Sequence, residues 1–572
     1  MFYIFRPCPL DATSTPSISS KKDHAPSMTR SPDSRNHLPD QNRSRLRFTV
    51  LALLTIVVVT AALRVPLLDI PFERDEGEYA YIGWRLGFGE LPYHDWFDQK
   101  PPAIFWVYRL ALSLPLDPVR AVHLVGMVFA AGSACCLYLI ARRFLGHPWG
   151  VVSALLFALI SVDPLIQGTA ANTELFMSLP LLLSHVLYLQ ETTDGRGGKV
   201  LPVLLGIANG IAIACKQVAL VNWLFMIVAY PMLTGKESRA RRSLSFALHS
   251  ALGMALFWGG IALFFHAHDA LDDFVFNVFT HNFDYIQTIP YAQRWSFFVD
   301  TVSTLARSQL LVWLVAAIGL ATTWSRQGTW LLVYLAGWAV ASMVGVSASG
   351  YYFPHYFQQM LPPLVLCAAL GARWLYSLGR GDRVPVSAKR VLCTAVLAGL
   401  PCVTLYPFLF HYTPAEAARS IYPGNPFGDM PAIGLNLEKV TKPDDRIYIF
   451  GAEPELLFYT RRLSATRYIF LFPLFGPYED ALAKQMQATE EIVAAKPEVI
   501  LYVPNALFFM PGTEQYLTRW TKAYIEQHYD EYAYMTRNQE GVISLKVCMN
   551  GEPPPIPEGD EVAGVILRTR KV

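Results

Sequence analysis

The sequence predicts an α-helical polytopic membrane protein with about eleven transmembrane helices and a C-terminal extracytoplasmic α/β domain. Three observations carry this. First, the 572 residues are 53% hydrophobic and only 16% charged, against roughly 25% charged in soluble domains. Second, apolar runs of roughly 17–25 residues, enough to cross a bilayer, recur through the first two thirds. Third, beyond His411 the texture changes to strands alternating with helices. The apolar runs show no period of two, which sets a β-barrel aside.

Residues 1–47 are polar and rich in Ser, Pro, Lys and Arg, and read as a disordered basic tail. No apolar segment opens the chain, so no cleaved signal peptide is expected. Of eight cysteines most lie inside apolar runs, and no CxxC occurs. That excludes a disulfide framework and a zinc site of the usual spacing. Basic loops set the threading. "RSRLR" precedes the first span and "ARRF" follows the second. "GKESRARRS" lies at 235–243 and "GRGDRVPVSAKR" near 379–390. With all four cytoplasmic, spans fall near 48–70, 118–141, 149–165, 174–190, 200–215, 218–234, 244–265, 304–324, 328–347, 357–377 and 390–410. Lys216-Gln217 divides 200–234 with no loop between. Residues 48–410 thus form the membrane domain. Segments 71–103, 166–173, 267–303, 348–355 and 411–572 lie outside, and the N-terminus is cytoplasmic.

The first outer loop, 71–103, opens on "FERDEGEYAYIGWRL", with Asp75, Glu76 and Glu78 in four residues. Tyr79, Ile82 and Leu86 form one apolar stripe, on a short helix that Gly87 and Gly89 end. Such a helix suits the membrane interface. Asp75-x-x-Glu78 has capping-box spacing, and Glu76 and Glu78 each suit a solvated face. The loop closes on "DQKPP". Lys100 stands before Pro101 and Pro102, which fix the entry into the next helix. A lysine there also suits a snorkelling anchor. An acid and a base at the two ends of one loop suit a reaction that takes a proton at one end and receives an anionic leaving group at the other.

The next outer turn, "GTAANTELFMSLP", starts a span with Glu174, which favours the helix dipole or faces Asp75. Lys216 lies between two spans, as a point charge for phosphate or a snorkelling group. His281, Arg294 and Arg307 lie in or beside the third outer loop, among belt aromatics. "GYYFPHYFQQMLPP" places His355 at the outer end of another span; a hydrogen-bonded structural role fits it as well. In the C-terminal part, "DRIYIFG" and "EVILYVP" read as strands, and "AEPELLFYTRR" and "EDALAKQMQATEEIVAAKP" as helices. "GVISLKV" reads as an edge strand. No glycine-rich phosphate loop follows the first strand.

Taken in order, "RDEGEYAYIGWRL…DWFDQKPPAIFW", "ANTELFMSLP" and "YYFPHYFQQMLPP" resemble bacterial glycosyltransferase family 39. These are GT-C membrane enzymes related to dolichyl-phosphate-mannose protein mannosyltransferases and to the lipid A aminoarabinose transferase. The resemblance runs from Arg47 to Arg380. It implies a bacterial inner-membrane enzyme, hexosyltransferase or mannosyltransferase-like. Such an enzyme moves a sugar from a polyprenyl-phosphate donor to an acceptor hydroxyl outside the cytoplasm, with inversion. The family's catalytic acid falls on Asp75, as general base. Its lysine before Pro-Pro falls on Lys100, and its second acid on Glu174. Glu76 and Glu78 become supporting acids. Lys100, Lys216 and Arg294 become the donor phosphate set, and Tyr79, Gln99, His281 and His355 line the substrate cavity. One position departs. A Glu that helps to hold metal in the aminoarabinose enzyme is Gln99 here, a poor ligand, so no metal or other cofactor is predicted as required. The partners are the lipid-linked donor, membrane lipid and an acceptor that is lipid, polysaccharide or protein. No nucleic acid is expected. A transporter or flippase is the rival class, but no repeated halves are visible.

Overall fold

The computed structural model describes residues 37–194, 198–234, 239–326, 328–378, 386–504, 513–549 and 552–570. Every expected span is helical. The chain runs through α1 (His37–Arg64), α2 (Arg74–Leu86), α3 (Ala103–Leu112), α4 (Pro118–Leu145), α5 (His147–Ile160), α6 (Thr173–Asp194), α7 (Val200–Cys215) and α8 (Leu220–Leu233). It continues through α9 (Arg239–Ala267), α10 (Leu271–Val275), α11 (His281–Tyr285), α12 (Tyr291–Arg326), α13 (Thr329–Ser347), α14 (Leu361–Leu378) and α15 (Val386–Phe410). Among the described residues, seven helical segments are long and apolar enough to cross a membrane, and α3, α5, α7 and the Gln217–Leu233 segment are shorter apolar helices. Lys216 takes an extended backbone conformation, which separates α7 from α8 without a loop.

Two features differ from expectation. Helix α1 begins at His37, inside the stretch expected to be a disordered tail. Residues 1–36, 235–238 and 379–385, with much of the basic tail and loops, lie outside the described residues. Helix α2 does not lie free on an interface. It packs on α3 along one side, and the C-terminal domain covers another.

That domain comprises α16 (Pro414–Ile421), α17 (Met430–Val440), α18 (Pro454–Thr460), α19 (Ala481–Ala495), α20 (Tyr516–His528) and a mixed sheet. The sheet uses β1 (Arg446–Phe450), β2 (Leu463–Ser464), β3 (Val499–Tyr502), β4 (Tyr529–Arg537), β5 (Ile543–Val547) and β6 (Glu561–Thr569), in the order β2-β1-β3-β6-β4-β5. The first three strands are parallel and the rest antiparallel. The expected β1, β3 and edge strand β5 are present; β2, β4 and β6 were not expected. One apolar core joins Tyr79 and Ile82 of α2, Phe105 and Tyr108 of α3, and Ile447, Leu501 and Ile566 of the sheet. The sheet domain is therefore packed onto loop 71–103 as part of one hydrophobic unit.

Candidate active site

The N-terminus of α2 sets the site. Its cap is Glu73, whose carboxylate accepts the Glu76 N–H at 3.3 Å, while Glu76 Oε2 accepts the Glu73 N–H at 3.2 Å. This is a reciprocal capping box, two residues earlier than the expected Asp75–Glu78 box. Asp75 is thereby released from capping and stands in the first turn, 29% exposed. Lys100 Nζ lies 3.8 Å from Asp75 Oδ2. The Tyr79 hydroxyl donates to the same oxygen at 3.5 Å, and the Lys100 ammonium sits 5.3 Å from the centre of the Tyr79 ring. Burial works against the charge on Asp75. Lys100, then His355, Lys216 and Arg74, outweigh it and hold its pKa below the ordinary value. Burial likewise works against the charge on Lys100, but Asp75, Tyr79, Asp98 and Glu78 raise its pKa well above normal.

The backbone around Lys100 is clamped. Its N–H donates to Asp98 Oδ1 at 2.8 Å, and its carbonyl accepts from the Tyr93 hydroxyl at 2.6 Å. The Gln99 carbonyl accepts from Asn282 Nδ2 at 2.7 Å and Gln217 Nε2 at 3.2 Å. Pro102 then caps α3. Sequence reasoning passed over Tyr93 and Asn282, and gave Asp98 no part in holding the Lys100 backbone. The one local signal is the Asp98-x-Lys100 spacing, which suits a side-chain-to-backbone turn.

A second charged centre adjoins the first. Glu174, fully buried, forms an ion pair with Lys216 and accepts from Thr173 Oγ1 at 2.9 Å. Lys216 Nζ lies 3.7 Å from the centre of the Tyr356 ring. His355 Nδ1 lies 2.7 Å from Gln167 Oε1. Glu174 thus meets Lys216 directly and Asp75 only through the field that Lys216 and His355 share with it. Asp75, Tyr79, Lys100, Glu174, Lys216 and His355 form one electrostatic group.

The remaining candidates have other surroundings. Glu76 is 2% exposed, not solvated. It binds His123 Nε2 at 2.8 Å and accepts the Ala171 N–H at 2.7 Å, tying α2 to α4 and to the turn before α6. Glu78 is buried against Asp98. His281 is enclosed by Phe97, Tyr478 and Lys484, with Lys484 Nζ 3.3 Å from its Nδ1. Burial, then Lys484, pushes its pKa down to about 3. Arg294 donates to the carbonyls of Ile286 and, at 2.9 Å, Ile289. Among the described residues no contact joins it to Asp75 or Lys100. Gln99 contributes its backbone carbonyl to the clamp. Among the described residues no group of three or more His, Cys, Asp or Glu is arranged to hold a metal ion. An apolar recess of about 430 Å³ lies along Val340, Met343, Val344, Ser347 and Ala348 of α13 and its end. The same end of α13 packs on the turn carrying His355 and Tyr356.

Residues 99–261 match the model of the dolichyl-phosphate-mannose-protein mannosyltransferase family. The structure is similar to that of ArnT from Cupriavidus metallidurans bound to undecaprenyl phosphate. The TM-score is 0.56 at 14% identity, over 91% of this chain and 97% of that one. The apo form of the same protein gives a TM-score of 0.52 at 15% identity, over 92% and 98% of the two chains. Comparison with curated protein sequences gives no match. The fold is that of the GT-C membrane glycosyltransferases, the chain is a multi-pass membrane protein, and its residues 99–261 match the dolichyl-phosphate-mannose-protein mannosyltransferase family model.

Proposed function

We propose that the chain transfers a sugar from a polyprenyl-phosphate donor to an acceptor hydroxyl on the extracytoplasmic side, inverting the anomeric carbon. The observation that carries this is the 3.8 Å pairing of Asp75 with Lys100 at the mouth of the helical bundle. The acceptor oxygen attacks the anomeric carbon and its proton passes to an Asp75 oxygen. The bond from that carbon to the phosphate oxygen breaks, and the electron pair leaves with the lipid phosphate. Lys100 holds the phosphate, and Lys216 adds a second positive charge to the same field. Both stabilise charge that grows on the leaving oxygen, where a low-dielectric site makes each cation more effective. The apolar recess along Val340, Met343 and Val344 of α13 offers a lipid chain a place on the helical surface. The undecaprenyl phosphate bound by the Cupriavidus protein of the same fold supports a lipid phosphate as ligand.

The test is Asp75→Asn in purified protein given a polyprenyl-phosphate sugar. Donor binding is expected to survive, while turnover falls by roughly 10²–10⁴-fold, the usual worth of a general base. Full turnover in this variant would falsify the assignment.

A further inference from the structure

Two carboxylic acids lie beside Lys100 and take no part in the transfer itself. Glu78 on α2 and Asp98, two residues before Lys100, are each 1% exposed. Their carboxyls are within hydrogen-bonding reach of each other. Asp98 Oδ1 already accepts the Lys100 N–H. This leaves Asp98 Oδ2 and Glu78 Oε1, both buried and both without another partner. Ionised carboxylates only accept hydrogen bonds. Two of them in contact away from water repel, and both oxygens stay unsatisfied. A single proton between them removes both penalties, because one oxygen becomes the donor and the other its acceptor.

We propose that Glu78 keeps a proton, donates it to Asp98, and that this acid pair is a positioning element for Lys100. The inference rests on reading Lys100 as the phosphate ligand. Asp98 then carries one negative charge and uses its other oxygen to fix the Lys100 backbone, while Tyr93 fixes the carbonyl side. If the proton were lost, Asp75, Glu78 and Asp98 would all be negative against Lys100, and the ammonium would be drawn away from an incoming phosphate. The ionisable groups acting on the pair are Asp75 and Tyr79 of α2 and Tyr93 and Lys100 of the loop. Burial, and next Asp98, pushes Glu78 well above the usual carboxylate range, with Lys100 pulling the other way. That direction favours the protonated form of Glu78, and the pair weakens as pH rises.

The experiment titrates a short-chain polyprenyl phosphate into the full-length protein from pH 6 upward, using the parent, Glu78→Gln, Glu78→Ala and Lys100→Ala. The Gln amide N–H replaces the acid proton, so Glu78→Gln is expected to bind within about threefold of the parent. It should also hold its affinity at alkaline pH, where the parent loses it. Glu78→Ala leaves Asp98 charged with its Oδ2 unpaired, and is expected to weaken binding by about tenfold or more. If Glu78→Gln weakens binding as much as Glu78→Ala, or follows the parent's pH curve, the shared proton is wrong. Should Glu78→Ala fail to fold, the comparison of Glu78→Gln with the parent still decides. Parent binding that Lys100→Ala leaves unaltered overturns the phosphate reading itself, and absent parent binding overturns both.

Discussion

At the scale of single residues, the competition around Asp75 has a kinetic consequence. Lys100, His355, Lys216 and Arg74 hold its pKa below normal. A carboxylate so stabilised is a weak base. A phosphate arriving at Lys100 and Lys216 adds negative charge and claims part of that cationic field. Asp75 then becomes more basic once the donor is bound. Its acid limb belongs to the deprotonated form, so activity is lost as pH falls through its pKa. The limb in kcat, which reports the bound enzyme, is expected at higher pH than the limb in kcat/KM, which reports the free enzyme. Lys100→Ala removes the largest of the attractive partners. It is expected to raise the donor KM by about tenfold or more and to move the kcat/KM limb upward. A limb that stays put in that variant would show that Lys100 does not govern Asp75. These roles were partly legible. Lys100 stands out by its place before Pro101-Pro102, and Asp75 by its place after a span. Asn282 and His123 were not legible. They are polar residues 183 and 47 positions from the groups they hold, and no local pattern records such a pairing.

At the scale of elements, α2 shows why register was harder to read than existence. "ERDEGE" contains two acid pairs at i, i+3: Glu73 with Glu76, and Asp75 with Glu78. Either satisfies capping-box spacing. The earlier pair wins where tertiary contacts anchor it. The Phe72 N–H donates to the Tyr459 hydroxyl at 2.9 Å, and Glu76 is claimed by His123 and Ala171. Strand β4 was hidden for a different reason. It follows α20 without a break, and register shifts between Glu531 and Ala533 and between Met535 and Thr536 spoil its period of two. Helix α2 also supports a prediction whose sign is opposite to propensity. A helix-interior Gly→Ala change normally stabilises by up to about 1 kcal/mol. At Gly77, however, an added Cβ would stand 2.3 Å from Glu455 Cβ and 2.5 Å from its Cα on α18. Gly77→Ala must push the two helices apart, at a cost of about 1–3 kcal/mol for overpacking. Thermal unfolding in detergent should show a lower midpoint; an unchanged or raised one would mean that α2 and α18 do not meet this closely.

At the scale of the whole molecule, the helical spans were readable because length and apolarity alone identify them. The union of the C-terminal domain with loop 71–103 was not, because its contacts join residues hundreds of positions apart. Ser464 N–H donates to the Tyr81 hydroxyl at 2.9 Å, Phe97 N–H to the Arg467 carbonyl at 3.0 Å, and Arg74 Nε to the Ala452 carbonyl at 2.5 Å. The seam also buries three acids around Arg74, namely Glu73, Glu453 and Glu455. Burial is the first cause of each shift. It lifts Glu453 from its ordinary 4.5 to about 7, against Arg74 and the Ala452 N–H, and lifts Glu73 and Glu455 well above normal. An acid whose pKa is raised in the docked state keeps a proton there that it gives up when exposed. Its stabilising contribution is complete below about pH 4.5 and is lost as pH rises through about 7. For Glu453 alone the window is worth roughly 3 kcal/mol. Domain docking is therefore expected to be firmer at pH 5 than at pH 8, with Glu73 and Glu455 adding in the same direction. Limited proteolysis and thermal unfolding across that range read the change directly. Glu453→Gln, permanently neutral, should flatten the slope without abolishing it, because the other two acids still titrate. Stability that rises with pH over this range would mean that the three carboxyls are ionised in the seam and that Arg74 dominates there.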